Sequence, residues 1–428
     1  MRFEAMVRSA LRRLFAVDGK MALERKIPLL DGRLHRVDEV GLYLHIPFCR
    51  QICPYCPYNK ELYHADFAPR YSSAVMREID VYAGLLNGLP VTSFYIGGGT
   101  PTTMLRSGIE AILDHAQRSL NVRCGIHMES HPNDLSVDNL SLMRSLGIEH
   151  LSIGVEALQE HHLRTLHRPY SVAEVKASVR RAVNSGFKCV NADIMFALPG
   201  QTCQELEEAG NTLLELGVDQ VAAYPLFTFP YTNWARVATR DNHRFNALQK
   251  RRMLAVLESL LYDAGFRRTS VWAFTRPGVP EYCSVTVPLY IGLGASGASY
   301  LRDVFYVNTF NVREYTQALE AGRMAIALSL ELSMSMQIAG WLYWRIYQTR
   351  IDKSSFQRRF GLDFDRVYGR YASLLQALGL ARNESEQIVL TDRGAYWLHV
   401  LQDLFSTDYV SKLWGTSWQN PWPERVVL

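Results

Sequence analysis

The sequence predicts an α/β fold in which six strands alternate with helices, followed by a mainly helical, winged-helix-like C-terminal unit. Three observations carry this prediction. Short β-branched or aromatic runs recur between residues 41 and 227 with helical stretches between them, a glycine-rich loop follows the second run, and the alternation stops after the sixth. Alternating strands and helices form parallel βαβ units. We therefore expect a parallel sheet that binds its ligands at the carboxyl ends of its strands.

Length and composition limit the possible functions. The chain has 428 residues, of which 48% are hydrophobic and 21% charged, as in an ordinary globular protein of more than one domain. The net charge is +4, and the basic residues form no long run, so we expect no nucleic-acid partner. No apolar run reaches the roughly 20 residues of a membrane helix, and the N-terminus lacks a secretory apolar core. We expect a cytoplasmic protein without a membrane span.

The first strand, residues 41–46, leads directly into Cys49, Cys53 and Cys56, whose spacing is C-x3-C-x2-C. Three thiolates can hold a [4Fe-4S] cluster and leave one iron open to a small ligand. Zinc is the competing interpretation, but structural zinc sites close with four ligands and no second cysteine pair follows. The odd number of cysteines, seven, argues against a disulfide framework.

The second strand, residues 91–96, ends in the run Gly97-Gly98-Gly99-Thr100-Pro101. Glycines at a strand end let the backbone approach a ligand that a side chain would block, and they permit a positive φ. The same run would also suit a tight turn from strand to helix. By itself it leaves both interpretations open.

The later strands, predicted at 124–129, 150–155, 189–196 and 220–227, carry polar residues at or near their ends. These residues are Glu129, Glu156, Arg168 and Asp193. A single arginine or glutamate here would more often be a surface charge or part of a structural ion pair, whereas Asp193 stands inside an apolar run and needs a partner. Their recurrence at successive strand ends predicts one shared site.

The residues around the cysteines resemble the HemN-like branch of the radical S-adenosylmethionine (SAM) superfamily. The resemblance rests on Tyr43-x-His45-Ile46-Pro47-Phe48-Cys49, followed by Cys53-x-Tyr55-Cys56, with the glycine run some 40 residues later. It implies a partial (β/α)6 radical SAM barrel with a [4Fe-4S] cluster on the three cysteines and SAM on the open iron. It also implies a flavodoxin- or ferredoxin-type electron donor.

The resemblance assigns SAM contacts by position. The glycine motif, with Gly98, Gly99 and Thr100, corresponds to the family segment that binds the methionyl amino group. Glu129 and Asp193 would hold the amino and ribose groups, and Arg168 would pair with the carboxylate. Glu156 stands where the family usually has glutamine, and a carboxylate cannot donate a hydrogen bond unless it is protonated. Tyr43 and Tyr55 match aromatic positions that line the SAM pocket.

The rest of the chain is expected to fold in three parts. We expect a helical N-terminal extension at 1–40, in which residues 3–15 form an amphipathic helix that lies against the main domain, a catalytic barrel at 41–300 and a C-terminal domain at 301–428. Beyond the sixth strand we expect a helix at 240–261 and a strand at 268–273.

The glycine- and serine-rich run 291–299 has the composition of a flexible linker or phosphate loop, but no P-loop lysine follows. It resembles the segment that closes the HemN-like catalytic domain, near which some members bind a second SAM.

The C-terminal part is predicted to contain helices at 334–350, 353–360, 364–378 and 395–405 and a strand at 388–391. It resembles the HemN C-terminal domain, which covers the substrate side of the barrel. No recognition helix carries a basic cluster, which argues against a DNA-binding role. Trp414, Trp418 and Trp422 would form an aromatic flap for a flat substrate or pack onto the barrel.

Two departures from the family narrow the expected activity. Coproporphyrinogen III dehydrogenases usually have a fourth cysteine two residues after the third, where this chain has Tyr58, and haem chaperones usually have a His-Asn-x-x-Tyr segment that is not found at 284–290. We therefore expect an enzyme that modifies a planar aromatic or tetrapyrrole substrate, with methylation or cyclopropanation by a second SAM as one form. The dehydrogenase and a haem-carrying protein remain alternatives. His45 and Tyr58 are the candidates for moving a proton or hydrogen atom.

Overall fold

The computed structural model describes residues 21–34, 37–234, 245–280 and 289–428. Its strands are β1 (Ala22–Glu24), β2 (Val40–Ile46), β3 (Phe48–Cys49), β4 (Glu61–Leu62), β5 (Pro90–Gly98), β6 (Asn121–Val122), β7 (Ile126–Ser130), β8 (Ile148–Glu156), β9 (Cys189–Phe196), β10 (Gln220–Pro225), β11 (Arg267–Arg268), β12 (Ala273–Thr275), β13 (Tyr290–Leu293), β14 (Ala298–Leu301), β15 (Val304–Asn308), β16 (Ile326–Glu331), β17 (Arg350–Asp352), β18 (Ala381–Asn383), β19 (Gln387–Leu390) and β20 (Arg425–Val427).

The α-helices are α1 (Ala68–Leu86), α2 (Glu110–Ser119), α3 (Val137–Ser145), α4 (Glu160–Thr165), α5 (Val172–Val183), α6 (Cys203–Leu216), α7 (Ala247–Asp263), α8 (Val312–Glu320), α9 (Met334–Tyr347), α10 (Lys353–Phe360), α11 (Phe364–Ala377) and α12 (Asp392–Gln419). Short 3-10 turns at Pro101–Met104 and Pro132–Asp134, and a π turn at Leu105–Ile109, complete the described helical segments.

The predicted α/β fold is confirmed, because the six predicted strands lie side by side in sequence order. Strands β2, β5, β7, β8, β9 and β10 form consecutive parallel pairs. In the register, Glu129 is opposite Ser152, and Gly154 is opposite Asp193. The carboxyl ends of these strands therefore meet at one edge of the sheet, where the polar residues singled out in the sequence come together.

The sheet extends beyond these six strands at both ends. Strand β13 pairs in parallel with β2 and continues through the antiparallel strands β14, β15 and β16 to β1 and β20. At the other end β12 pairs antiparallel with β10. The extension at 290–331 follows from alternating apolar residues such as Val304, Tyr306 and Leu328, which are fully buried.

Local signals in the sequence explain where several helices begin. Ser171 and Glu174 form a capping box at the start of α5, and Thr202 and Glu205 form a second one at the start of α6. Helix α7 begins with a third, between Asn246 and Gln249. The predicted helix at 240–261 is thus observed as α7, and its first residues, 240–244, lie outside the described residues.

One prediction between residues 260 and 300 is wrong. The single strand expected at 268–273 is replaced by β11 and β12, which pair with each other across the bend at Thr269 to Trp272. The glycine-rich run, for which the sequence disfavours a linker or phosphate loop, forms the hairpin β13–β14. A Cβ at Gly292 would lie 2.3 Å from the carbonyl oxygen of Ala298, so the close approach of these strands requires glycine there.

The C-terminal helices enclose a separate apolar core. Their predicted positions are confirmed, and β17, β19 and β18 add a three-stranded sheet of winged-helix type. The last helix is longer than expected, since α12 runs for 28 residues to Gln419. Residues 21–34 contain β1 instead of helix, while the amphipathic segment at 3–15 lies outside the described residues. The three-domain division stays a prediction; its boundary at residue 300 lies within β14.

Candidate active site

Cys49, Cys53 and Cys56 line one cavity of about 530 Å³ at the carboxyl edge of the parallel strands. Cys49 ends β3 and is buried, while the other two thiols lie in the following loop and are half-buried. Burial raises the pKa of the Cys49 thiol to about 12 and also raises that of Cys56. A bound metal ion would offset this cost, because coordination removes the thiol proton.

The glycine run forms the wall beside the cysteines. Gly98 has φ +117°, and a Cβ there would lie 2.5 Å from the ring of His45. A Cβ at Gly99 would lie 3.0 Å from Cys49 Sγ and 2.8 Å from the carbonyl oxygen of Phe48. Thr100 follows, with its hydroxyl 3.5 Å from Cys49 Sγ. The glycines thus let this loop touch the cysteine loop.

Glu129, at the end of β7, faces the cavity and is held by two donors. The Tyr95 hydroxyl donates to one carboxylate oxygen at 2.6 Å, and the Gly98 backbone N–H donates to the other at 3.0 Å. Burial raises the pKa of Glu129, although both hydrogen bonds act in the opposite direction. The carboxylate is therefore fixed in orientation beside the glycine run.

Asp193, in β9, is the second fixed carboxylate. The Ser152 hydroxyl donates to it at 2.7 Å and the Asn191 amide at 2.8 Å. Burial, with a further contribution from the charge of Glu156, raises its pKa to about 7. The partner that this aspartate requires is thus a pair of neutral donors and not a cation.

Glu156, the last residue of β8, and Arg168 form a buried ion pair. Glu156 has φ +65°, a left-handed conformation that turns its carboxylate into the cavity. The Tyr224 hydroxyl donates to its other oxygen at 3.0 Å. The sequence left open whether these residues form a structural ion pair or belong to the site. They do form an ion pair, and both side chains also line the cavity.

Three buried polar atoms of cavity-lining residues have no hydrogen-bond partner in the structure: the Tyr55 hydroxyl, Arg168 Nε and Asn191 Oδ1. Such atoms are rare in folded proteins unless a ligand or water binds them. Four carboxylates also line the cavity, with Arg168 and Lys60 as the basic residues of its lining. This combination fits a polar ligand that bears both positive charge and hydroxyl or amino groups, beside a metal centre on the three thiols.

Tyr43 and His45, both predicted to act in the site, do not line this cavity. The Tyr43 hydroxyl lies 3.0 Å from His45 Nδ1, and His45 Nε2 lies 2.9 Å from the carbonyl oxygen of Asn59. Burial lowers the pKa of His45 to about 4, so this imidazole is neutral at physiological pH. These two side chains support the cysteine loop from behind, whereas Tyr58 faces the cavity.

Asn59 ties the cysteine loop to the C-terminal part of the chain. Its amide nitrogen donates to the carbonyl oxygen of Phe310 at 2.8 Å, and its amide oxygen accepts from the Trp418 indole at 2.9 Å. Lys60 lies over the same Trp418 ring, 5.3 Å from its centre. The loop that carries the thiols is thus held by residues distant in sequence.

Helix α12 covers the open side of the cavity. Its lining residues include His399, Asp403, Thr407 and Trp414. The Trp414 ring lies 6.1 Å from that of Tyr58 and 5.8 Å from that of Phe310. Trp418 and Trp422 instead pack outside the cavity, where Trp422 donates to Glu314 at 3.0 Å. Of the three tryptophans, Trp414 is the one that lines the cavity.

Several site residues were not predicted. Ser152 and Asn191 interrupt apolar strands just as Asp193 does, and the same criterion would have identified them. Tyr224, Trp272 and the residues of α12 carried no such signal, because their placement depends on how the sheet and the C-terminal unit pack together.

Comparisons with known proteins agree with this geometry. A model of the radical SAM superfamily matches residues 43–213. Heme chaperone HemW of Bacillus subtilis is 26% identical over 360 residues, which cover 82% of this chain and 95% of the relative. Oxygen-independent coproporphyrinogen III oxidase of Escherichia coli is 24% identical over 393 residues, covering 86% and 85%. These similarities support the HemN-like branch of the radical SAM superfamily.

The fold of this chain is shared by a solved structure. The structure of coproporphyrinogen III oxidase (HemN) from Escherichia coli superposes with a TM-score of 0.78 at 23% identity, covering 90% of this chain and 95% of the other. The radical SAM family implies a [4Fe-4S] cluster and SAM, and the three thiols and the polar residues of the cavity fit both. Within the described ranges, no helix has both the length and the apolar character that crossing a membrane requires.

The raised pKa of Asp193 predicts that the free energy of unfolding of this protein depends on pH. Its pKa is about 7 in the folded chain against 3.8 without the protein environment. The folded state therefore binds more protons between these values, so the free energy of unfolding falls as the pH rises through this window. Asp193→Asn should remove this fall and gain roughly 1 to 3 kcal/mol relative to wild type between pH 5 and pH 8, because the side chain is partly open to the cavity.

The measurement is urea unfolding of both proteins without added SAM at several pH values. The informative quantity is the change in the difference between variant and wild type, since other titrating groups are common to both. A difference that stays constant with pH would contradict the raised pKa.

Proposed function

We propose that the chain is a radical SAM enzyme that modifies a planar aromatic or tetrapyrrole substrate. The observation that carries the proposal is that three thiols, the glycine loop and the polar residues from successive strand ends line one cavity. Catalysis by this superfamily needs SAM beside the cluster, and a protein that only carries a ligand would not require both sets of residues together.

Each residue has a proposed task. Cys49, Cys53 and Cys56 hold the [4Fe-4S] cluster, while Arg168 pairs with the carboxylate of SAM through its free Nε edge. Glu129 accepts hydrogen bonds from the amino group, and Asp193 accepts them from the ribose. When bound, the reduced cluster would supply the one electron that cleaves the sulfonium bond of SAM to methionine and a 5'-deoxyadenosyl radical. The chain itself orients the ligands and excludes water.

Glu156 is proposed to act through Arg168 rather than on SAM directly. One of its oxygens is bound to Arg168 and the other accepts from Tyr224. A carboxylate held in this way has no hydrogen to offer a ligand. It instead fixes the guanidinium so that its remaining donors face the cavity. The replacement of the usual family glutamine is thereby explained by an ion pair.

The substrate is proposed to lie between the three cysteines and helix α12, which both line the cavity. Trp414 and Tyr58 border this space with aromatic rings, which suits a flat substrate. The two relatives named above, a heme chaperone and a coproporphyrinogen III oxidase, both have names that concern tetrapyrroles. These observations together favour a tetrapyrrole over a peptide or nucleic acid.

A second cavity of about 490 Å³ adjoins the first and shares Phe227, Trp272, Asp403 and Thr407 with it. The joint space supports a second SAM or a large substrate beside the first SAM, and methylation or cyclopropanation is the form of the reaction that would use a second SAM. Tyr58 stands in place of the fourth cysteine of the dehydrogenases and faces the cavity. For this reason we place coproporphyrinogen III dehydrogenation second.

The test is an assay of SAM cleavage by the anaerobically reconstituted, dithionite-reduced protein. We expect 5'-deoxyadenosine to form with SAM and to increase when haem or coproporphyrinogen III is added, measured by mass spectrometry. S-adenosylhomocysteine formed in addition would support methyl transfer, and decarboxylated porphyrinogen would support the dehydrogenase. Tight haem binding without any SAM cleavage would overturn the proposal in favour of haem carriage.

A matched pair of variants tests where the substrate lies. Trp414→Ala should abolish the increase caused by the tetrapyrrole but leave SAM cleavage without substrate unchanged, because Trp414 touches no proposed SAM contact. Trp422→Ala is the control, since its indole donates to Glu314 outside the cavity. Equal effects of the two substitutions would contradict a substrate site beneath α12.

A further inference from the structure

A second group of potential metal ligands lies apart from the cavity, where α4 meets α6. Its members are His161 and His162 of α4 and Glu205 in the first turn of α6. His161 Nε2 lies 3.0 Å from Glu205 Oε1, and His162 Nε2 lies 3.6 Å from Glu205 Oε2. One ligand atom from each side chain lies within 4.8 Å of the others. None of the three residues lines the cavity of the cysteines.

These separations are compatible with a shared tetrahedral ion, although the 3.0 Å distance is also an ordinary hydrogen-bond length. Zinc bonds to histidine nitrogen and carboxylate oxygen measure about 2.1 Å, which places neighbouring ligand atoms of a tetrahedron about 3.4 Å apart. The observed 3.0 and 3.6 Å run to the two different oxygens of Glu205, and one ligand atom from each side chain lies within 4.8 Å of the others, so the three groups would close slightly around one ion. The longer distance exceeds an ordinary hydrogen bond between nitrogen and oxygen.

His162 provides an independent sign of a missing ligand. Its side chain is 0% exposed, and neither ring nitrogen has a hydrogen-bond partner in the structure. Burying an imidazole without partners is costly, so such a group normally binds something. His161 is 55% exposed and leaves the site open to solvent.

Glu205 is already oriented as a ligand would need to be. Its Oε2 accepts from the Thr202 backbone N–H at 2.8 Å and from the Thr202 hydroxyl at 3.0 Å, both within the capping box of α6. The Gln159 amide donates to the Glu205 carbonyl oxygen at 2.7 Å and joins the start of α4 to the same turn. Supporting hydrogen bonds of this kind fix the geometry of metal ligands and raise affinity.

We propose that His161, His162 and Glu205 bind Zn²⁺ or a similar divalent transition-metal ion, with water in the fourth position. Two imidazoles and one carboxylate form a donor set that suits this class of ion better than magnesium or calcium. The ion would join α4 to α6 and is separate from the proposed [4Fe-4S] cluster.

The site has a structural consequence for the cavity, which rests on the function proposed above. Helix α4 lies between Glu156 and Arg168, the two ends of one segment that closes on itself through their ion pair. The Gln51 amide donates to the carbonyl oxygen of His167 at 2.9 Å and attaches the cysteine loop to this segment. A metal ion on α4 would fix the outer end of the segment and thereby limit movement of Arg168.

The test is calorimetric titration of Zn²⁺ into the full-length, cluster-reconstituted protein under anaerobic conditions without SAM. We expect one tight zinc site per chain, and at least about tenfold weaker binding in each of His161→Ala and Glu205→Gln. His161→Ala is informative because this side chain is exposed and its loss should not unfold the chain. His162→Ala serves as a third variant, provided that its circular dichroism matches wild type.

His115→Ala is the matched control. His115 lies on α2 and also pairs with a carboxylate, with Nε2 2.7 Å from Asp80; among the described residues it belongs to no group of three ligands. Zinc binding should be unchanged in this variant. Wild-type binding no tighter than millimolar, or tight binding retained in both His161→Ala and Glu205→Gln, would overturn the site. Because SAM is absent from the titration, neither result depends on whether the chain cleaves SAM.

Discussion

Cys53→Ala is expected to leave the protein without detectable formation of 5'-deoxyadenosine from SAM. The reason is that three thiols line the cavity, and among the described residues no other cysteine lines it to replace a lost ligand. A cluster bound by two thiolates would be lost or unable to present its open iron. The measurements are iron and sulfide content after reconstitution and mass spectrometry of the nucleoside product.

Cys203→Ser provides the control for that experiment. Cys203 is exposed at the first position of α6 and does not line the cavity. This variant should retain wild-type iron content and wild-type SAM cleavage. Full activity of Cys53→Ala, or equal loss in the two variants, would contradict the assignment of the three cysteines as cluster ligands.

Arg168→Met should reduce both stability and SAM affinity. Loss of one member of the buried pair leaves the Glu156 carboxylate without its counter-ion, which costs about 3 to 5 kcal/mol of unfolding free energy. The proposed contact with the SAM carboxylate is lost as well, so affinity should fall roughly thirtyfold or more. Urea unfolding measures the first effect, and titration of SAM into cluster-loaded protein measures the second.

The double variant Glu156→Gln with Arg168→Met separates the two effects. Removing both charges should recover most of the stability, because a neutral buried pair carries no uncompensated charge. SAM affinity should stay low, since the cation that receives the carboxylate is still missing. Recovery of affinity together with stability would show that Arg168 acts only as a structural partner of Glu156.

Arg50→Met is the comparison for a half-exposed pair near the same site. Arg50 pairs with Asp134 at 3.1 Å and is more than half exposed, whereas Asp134 is buried and also accepts from the Thr102 hydroxyl. Because solvent reaches Arg50 and Asp134 keeps a second donor, this variant should lose less unfolding free energy than Arg168→Met. A large loss of stability here would mean that the effect at Arg168 is not specific to its burial.

The strand order could be predicted because local patterns determine it. The β-branched runs at 91–96 and 189–196 lie where β5 and β9 were found, and parallel strands joined by helices must place their carboxyl ends together. The hairpin at 290–301 could not be predicted, because its glycines are required by contact between two strands and not by a loop. Composition alone does not distinguish these two reasons for glycine.

The cavity could be predicted only on the side formed by the strands. Glu129, Glu156 and Asp193 reach it from the parallel strands and Arg168 from the turn after α4, and the structure brings all four together. Tyr43 was expected in the same wall but lies behind it, since a motif position does not specify which way a side chain is turned. The residues of α12 depend on packing between parts of the chain distant in sequence, for which the sequence carried no local signal.

The contacts of Asn59 imply an order of events during biosynthesis. Its amide oxygen is bound by Trp418, which is 359 residues further along the chain. A ribosome has not yet made that tryptophan when the cysteine loop emerges, so the loop cannot reach its final form during early translation. Insertion of the metal cluster into a fully shaped loop must therefore come after synthesis and folding of the C-terminal helix. Truncated or stalled chains would accordingly expose their three thiols to oxidation before any iron is delivered.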